Sequence, residues 1–337
     1  VIFQNVPNYV TLVVGIFLAN VIMVLGIAFP ALLDNYQQII SDSIISKYQY
    51  VLKTEVETET EGAEKYCAGS LMTMDERLKS ESVSVYGMNV DSEYLSLDLE
   101  EDNIYISSSY AEKYHISEGE TVTLKEEYSD KEYRFKVTGI YDYSAGVAVF
   151  MSREYFNEIF DYEEDYFNGY LSNEELEDID DMFIATVITE DDINKISRQM
   201  GTSMGGVFEM FYWFGLIMFM LIIYLLSKLV IEKNAQSISM TKILGYTNKE
   251  ISNLYIMATS LVVVISFIVT MPIVNGLMKT VCVVMLSEYP GWIPYYIPSA
   301  AFIKIMAAGI ASYAVIAFMQ FGKVKKIPLD IALKNVE

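Results

Sequence analysis

Histidine, cysteine and basic residues are scarce in this 337-residue sequence, and each scarcity excludes a class of function. The one histidine, His115, falls on a helix-to-strand turn, so no Cys/His metal set and no histidine-activated nucleophile can be assembled around it. The two cysteines, Cys67 and Cys282, lie in segments of different character and read as free, small apolar side chains rather than a disulfide, redox or metal pair. No GxxxxGK[ST] loop is present, so the chain cannot hydrolyse ATP by itself in the P-loop manner. The acidic clusters "DYEEDYF" from Asp161 and "NEELEDIDD" from Asn173 lack the glycine-centred ligand spacing of an EF-hand. They read as a solvated acidic face, with attraction of a cationic peptide as the functional alternative. Accidental carboxylate pairs are inevitable among so many acids, so a glycosidase pair has no support. No enzyme is visible.

What the sequence does have is apolar length. Val1–Leu33, Met210–Ser227, Ile251–Met278 and Ile305–Gly322 contain no charged residue. Each suffices to cross about 30 Å of hydrocarbon as a helix of ~18–20 residues. The first is too long for a signal peptide and lacks a basic leading region and a small-residue cleavage site. Residues 31–206 carry 39 acidic and 13 basic side chains, a net of −26, against 6 acidic and 10 basic, a net of +4, elsewhere. Lys228, Lys233, Lys242 and Lys249 surround the loop after the second run, and Lys323, Lys325, Lys326 and Lys334 follow the fourth. The positive-inside bias puts both places in the cytoplasm and the acidic block outside. The expected fold is an α-helical membrane protein with four transmembrane helices and an inserted extracytoplasmic α+β domain between the first and second spans.

The expected division is a first span over residues 1–33, an outer domain with helical stalks over 34–206, a second span over 207–231, and a cytoplasmic helix and turn over 232–250. A third span over 251–286, an outer loop over 287–303, a fourth span over 304–322 and a basic tail over 323–337 complete it. Within the outer block, strands are expected at Ser82–Val90, Thr121–Tyr128, Tyr133–Tyr141, Val147–Met151 and Phe183–Thr189. Helices are expected at Ser107–Tyr114, Ser152–Phe160 and Asp191–Met200, the last aimed at the second span. Ile40, Ile44 and Tyr48 form one helical stripe, as if the first span continued outward as a stalk. In the third span Pro272 predicts a kink. Trp292, Tyr295 and Tyr296 suit an interfacial aromatic anchor, with Lys279 and Lys304 snorkelling beside them.

The segment "KNAQSISMTKILGYTNKEIS" (Lys233–Ser252) is the most informative. Ile238, Thr241, Lys242 and Gly245 fall along one helical face, with Met240, Ile243 and Leu244 alongside. Gly245 is placed for the left-handed residue after a helix C-terminus, with Lys242 in the last turn where a cation complements the helix dipole. "TNKE" (Thr247–Glu250) has the form of a capping box that opens the next helix. A short stiff helix between two spans can transmit push or torque. The bland alternative is an amphipathic connector lying on the membrane surface.

Lys233 and the "K-x-L-G-x" pattern formed by Lys242, Leu244 and Gly245 resemble the signature of FtsX-like/MacB-type ABC transporter permeases. The ending "KKIPLDIALK", through Pro328, Ala332, Leu333 and Lys334, is similar to the family's, and so is the order of one span, a large outer domain and three spans. Ile104–Leu124 and Arg134–Asp142 resemble the core domain of the MacB type. The resemblance implies a coupling helix seated in a groove of a separate ATP-binding subunit, through Lys233, Ser237, Ile238, Met240, Lys242, Leu244, Gly245 and Tyr246. This chain reads Lys233-Asn234-Ala235-Gln236-Ser237-Ile238 where the family often has an Arg-x-Arg-Glu-Ile-Gly run, so docking relies more on Ile238, Met240 and Tyr246. ATP and magnesium would belong to that partner subunit and no cofactor to this chain.

A second permease unit is implied as well, in a homodimer or a fused chain; opening on Val1 favours the second half of a longer chain. The implied location is a bacterial cytoplasmic membrane, multi-pass, with the large domain outside and a peptide, lipid or envelope protein as the outer partner; no nucleic acid is implied. The competing function is a membrane-anchored extracytoplasmic receptor or sensor without an ATPase.

Overall fold

The computed structural model describes residues 6–75, 78–100, 102–288 and 290–328. It divides into two compact units: Val1–Ala31, Ser203–Val281 and Tyr296–Glu337 form one, and Leu32–Thr202 with Cys282–Tyr295 form the other. The described chain begins with α1 (Val6–Asp42), β1 (Tyr48–Leu52), β2 (Glu64–Thr73), β3 (Ser82–Met88), β4 (Tyr105–Ser107) and α2 (Ser108–Tyr114). There follow β5 (Thr121–Lys125), β6 (Glu132–Lys136), β7 (Gly139–Tyr141), β8 (Ala148–Ser152), α3 (Arg153–Ile159), β9 (Gly169–Ser172) and β10 (Ile184–Thr189). Four further helices close it: α4 (Glu190–Lys233), α5 (Ala235–Ile243), α6 (Asn248–Ser287) and α7 (Ser299–Lys326).

The sheet-rich unit is α+β, as the alternation of strand and helix signals implied. Its ten strands run in the order β10-β1-β9-β2-β3-β8-β4-β7, and β5 joins β2 to β6. Most pairs are antiparallel; β3 with β8 and β4 with β7 are parallel. Side-chain alternation separates two cores. Val149 and Met151 of β8 enter one, with Val83, Val85, Tyr110, Tyr114 and Phe156, while Ala148 and Phe150 enter the other, with Tyr66, Met88, Leu95 and Leu171. Burial on both faces explains why β8 reads as an unbroken apolar run. Serine starts both short helices, as expected: the Ser107 hydroxyl accepts from Tyr110 N and the Ser152 hydroxyl from Tyr155 N. His115 closes α2 in the left-handed conformation, φ 56°.

Several expectations are corrected. The helical stripe through Ile40, Ile44 and Tyr48 does not exist, because α1 stops at Asp42 and Tyr48 begins β1 between β9 and β10. The segment Tyr133–Tyr141 is two strands. The chain changes partners there, Glu132–Lys136 pairing with β5 and Gly139–Tyr141 with β4, while Val137 bonds to Gly119 and Glu120 between them. The helix expected at Asp191–Met200 is present as expected and runs unbroken into the second apolar stretch as the opening of α4. Strands β1, β2, β4 and β9 had no counterpart in the sequence reading. In the loop before α7, Trp292 Nε1 donates to Glu112 Oε2 at 2.9 Å, a contact the sequence gave no sign of.

The other unit is helical, and four helices are long and apolar enough to cross a membrane: Tyr9–Asp42, Gly206–Lys233, Asn248–Ser287 and Ser299–Lys326. The third passes through Pro272 without interruption, and the fourth begins at Ser299, just after Pro298. In this unit α1 and α4 meet antiparallel along a seam where Gly15 faces Ile222, Gly215 faces Met23 and Gly26 faces the backbone of Tyr212. Phe29 and Phe208 stack along it at 4.2 Å. Small residues at such a seam let helix backbones approach without a side chain between them. Asn20 Nδ2 donates to Thr270 Oγ1 at 2.9 Å, tying α1 to α6. Ser260 and Tyr313 hydroxyls at 2.7 Å, and Gly309 beneath the Phe267 ring, tie α6 to α7.

Candidate functional site

The short helix α5 exists where the sequence placed it, and its ends have the expected chemistry. Helix α4 stops at Lys233, and Asn234 leaves helical geometry at φ −100°, ψ 11°. Gly245 takes φ +94°, a conformation a Cβ would disfavour. The capping box is formed: Thr247 Oγ1 accepts from Glu250 N, and Glu250 Oε2 accepts from Thr247 N at 2.8 Å and from its hydroxyl. These bonds, the backbone one foremost, lower the pKa of the Glu250 carboxyl.

The helix has two unlike faces. On the inward one Ile238 is 0% exposed and packs with Ile231 of α4, Ile251 of α6 and Val324 of α7. Beside it the buried Ser239 hydroxyl donates to the Pro328 carbonyl at 3.0 Å. Lys242 Nζ donates to the carbonyls of Ile327 at 2.7 Å and Val324 at 2.9 Å, with Lys325 at 3.4 Å. Those carbonyls belong to the last turn of α7 and the residue after it, where intrahelical donors run out; Val324 O has only the capping Ile327 N–H at 3.3 Å besides the lysine among the described bonds. The cation therefore caps a different helix from the one that carries it. Partial burial lowers its pKa. The inward face thus fastens α5 to α4, α6 and α7 together.

The outward face is apolar and exposed among the described residues. Met240 is 53% exposed, Ile243 49%, Leu244 71% and Tyr246 56%, and Ser237 and Gly245 are exposed beside them. Of the eight expected contact residues, the structure gathers Ser237, Met240, Leu244, Gly245 and Tyr246 on the open side. It turns Ile238 and Lys242 into the seat, and Lys233 closes α4 before it. Ile238 is therefore not available to a partner, because its whole side chain is spent on packing. Ile243 belongs to the open face, although the sequence reading gave it no contact role. The Ala332, Leu333 and Lys334 of the expected C-terminal pattern lie outside the described residues.

Among the described residues no group of three or more His, Cys, Asp or Glu side chains is placed to hold a metal ion. The arrangement can be gripped on one side, and it is bolted to three long helices on the other.

Residues 209–329 match the family model described as FtsX-like permease C-terminal. The match spans α5, its seat and the helices around it, and leaves residues 32–202 of the sheet-rich unit uncovered. No curated protein matches the chain. With the four apolar helices, the match supports an ABC transporter permease of the FtsX-like type.

Proposed function

We propose that this chain, which carries an FtsX-like permease C-terminal domain over residues 209–329, couples a separate ATP-binding subunit to movement of its sheet-rich domain. The observation that carries this reading is the division of α5 into a fastened face and an exposed apolar face. A contiguous apolar patch on an otherwise polar connector marks an interaction site. The partner's groove would close over Met240, Ile243, Leu244 and Tyr246. When the partner moves, the seat formed by Ile238, Ser239 and Lys242 passes the displacement to α4, α6 and α7 rather than dissipating it in a loop.

ATP and magnesium are bound and used by that partner. Two permease units act together, each with four membrane spans in the cytoplasmic membrane. The lysines of the α4–α6 connection and of the C-terminal end of α7 keep α5 on the cytoplasmic side, and the acidic sheet-rich domain faces outward. The output is mechanical: the outer domain changes its grip on a peptide, a lipid-linked molecule or an envelope protein.

The test is co-purification of the full-length chain with its ATP-binding subunit in mild detergent, with and without Met240→Asp and Leu244→Asp. Each variant forfeits about 1–2 kcal/mol of apolar burial at the interface and adds the larger cost of a buried, unpaired carboxylate. Retention should fall at least about tenfold, with membrane insertion unchanged. If the wild type retains no such subunit and shows no stimulated ATP hydrolysis, the transporter reading fails and the sheet-rich domain is a receptor in its own right.

A further inference from the structure

The sheet-rich unit holds one ion pair from which water is almost wholly excluded. Lys113 Nζ of α2 lies 2.7 Å from Glu81 Oε1, just before β3, and the two side chains are 1% and 5% exposed. Every other ion pair among the described residues of this unit has a partner at least half exposed. Charges removed from water at that cost persist only where their remaining hydrogen-bonding capacity is met. Tyr114 donates its hydroxyl to Glu81 Oε1 at 2.7 Å. What completes the set comes from far along the chain, in the loop between α6 and α7. Gly291 N donates to Glu81 Oε2 at 2.7 Å, and Lys113 Nζ donates to the Gly291 carbonyl at 2.9 Å.

One residue of the loop is thus held at its N–H by the acid and at its C=O by the base. Gly291 stands at φ +83°, where a side chain would strain the backbone. The next residue, Trp292, adds its indole bond to Glu112, so three consecutive residues of α2 and its C-terminal end serve the same attachment.

We propose that Glu81 and Lys113 form a clasp that fastens the α6–α7 loop to the sheet-rich unit, through which movement of α6 and α7 reaches that unit. Helices α1 and α4 lead directly into the sheet through the chain, and this loop is the chain connection between α6 and α7. The clasp gives them a hold of their own. It is reversible without unfolding, because the loop is held through hydrogen bonds of Gly291 N–H, Gly291 C=O and the Trp292 indole, none of them within a strand ladder. The transmission half of the proposal rests on the coupling function above; the attachment half does not.

The first experiment uses the full-length permease alone in lipid nanodiscs. Amide hydrogen exchange of residues 290–295 is compared between the wild type and the double variant Glu81→Leu/Lys113→Leu, which removes both charges together and so leaves neither unpaired. Exchange of the loop should rise about tenfold or more, with β3 and α2 unchanged; an unchanged loop overturns the clasp. Should β3 and α2 also open in the double variant, Gly291→Ala decides, since it strains only the loop. Faster loop exchange there supports the clasp, and unchanged exchange overturns it.

The second experiment adds the ATP-binding subunit and a non-hydrolysable nucleotide. A nucleotide-dependent change in exchange of the sheet-rich unit, present in the wild type and lost in the double variant while the subunit still co-purifies, supports transmission through the clasp. The same change persisting in the double variant overturns it. A wild type that binds no ATP-binding subunit defeats the coupling function and transmission with it, and the first experiment then decides the attachment.

Discussion

Lys242→Met is the sharpest test of the two-faced α5. Methionine keeps most of the length and apolar stem of the lysine and removes only the ammonium that serves the carbonyls of Val324 and Ile327 at 2.9 and 2.7 Å. A hydrogen bond from a charged donor contributes about 1.5–3 kcal/mol when well formed. Two such bonds would give about 3–6 kcal/mol, reduced by about 1.5–2 kcal/mol for the rotamer freedom that a held lysine gives up. Lys242 is only half-buried, so water replaces part of what is lost and the net falls to about 1–2 kcal/mol. The loss is local, because it unlatches the end of α7 from α5 and leaves the apolar seat of Ile238 in place.

Amide exchange reads that loss directly. An opening made 1–2 kcal/mol easier raises exchange over residues 322–328 by about 5- to 30-fold. The contrasting variant is Met240→Asp, on the open face of the same helix. It should leave exchange across α5 and α7 within error, since surface substitutions stay within about 0.5 kcal/mol. Two results would refute the reasoning: no acceleration in Lys242→Met, or an acceleration in Met240→Asp as large as that in Lys242→Met. Either would mean that the seat and the open face are not distinct.

Two other perturbations reach different parts of the chain. Gly26→Leu places a side chain against the backbone of Tyr212, so the α1–α4 seam must separate; overpacking of this kind costs about 1–3 kcal/mol or more. The detergent-solubilised variant should aggregate several degrees below the wild type, whereas Gly276→Leu, with open space around it, should not. Burial pushes the Cys67 thiol up to about 12 from an ordinary value of 9.0. Its folded pKa is raised, so its contribution to stability is complete below pH 9 and declines from there as pH rises towards 12. In the folded protein carrying Cys282→Ser, Cys67 should therefore stay unmodified by a maleimide at pH 8 and react at once in denaturant; rapid native labelling of Cys67 would contradict its burial.

Much of the fold was legible because its signals were local. Four uncharged runs mark four long helices, since nothing but chain length and apolarity is needed to recognise them. Ser107 and Ser152 announced helix starts, and Gly245 with Thr247–Glu250 announced a stop and a restart, because capping is settled within a few residues. The missed strands had no such mark. β2 is written "EKYCAGSLMT", with glycine and serine in the middle, and is held by β9 at one end and by β3 and β5 at the other. β4 has three residues and exists only because β7 and β8 flank it. A strand made by its neighbours cannot be read from its own composition.

The candidate site divides along the same line. That α5 exists, and where it ends, follows from its own residues; which of its faces is free does not. Ile238 and Met240 are both apolar and two residues apart, and the sequence treats them alike. They differ because Ile231, Ile251 and Val324 converge on one, while the other is left 53% exposed among the described residues. Lys242 and Lys113 make the same point with charge. Each looks like an ordinary surface lysine on a helix, one in its last turn and the other in an acidic block. Yet Lys242 closes the carbonyls of a helix some eighty residues away, and Lys113 holds, with Glu81, a loop residue further still. A lysine's default is solvent, so its burial here reports long-range partners that composition cannot name. Lys242 fastens the C-terminal end of α7 to α5, and Lys113 with Glu81 fastens the α6–α7 loop to the sheet. Under the coupling proposed above, these are the two fastenings through which a push on α5 would have to pass, and each has its own test.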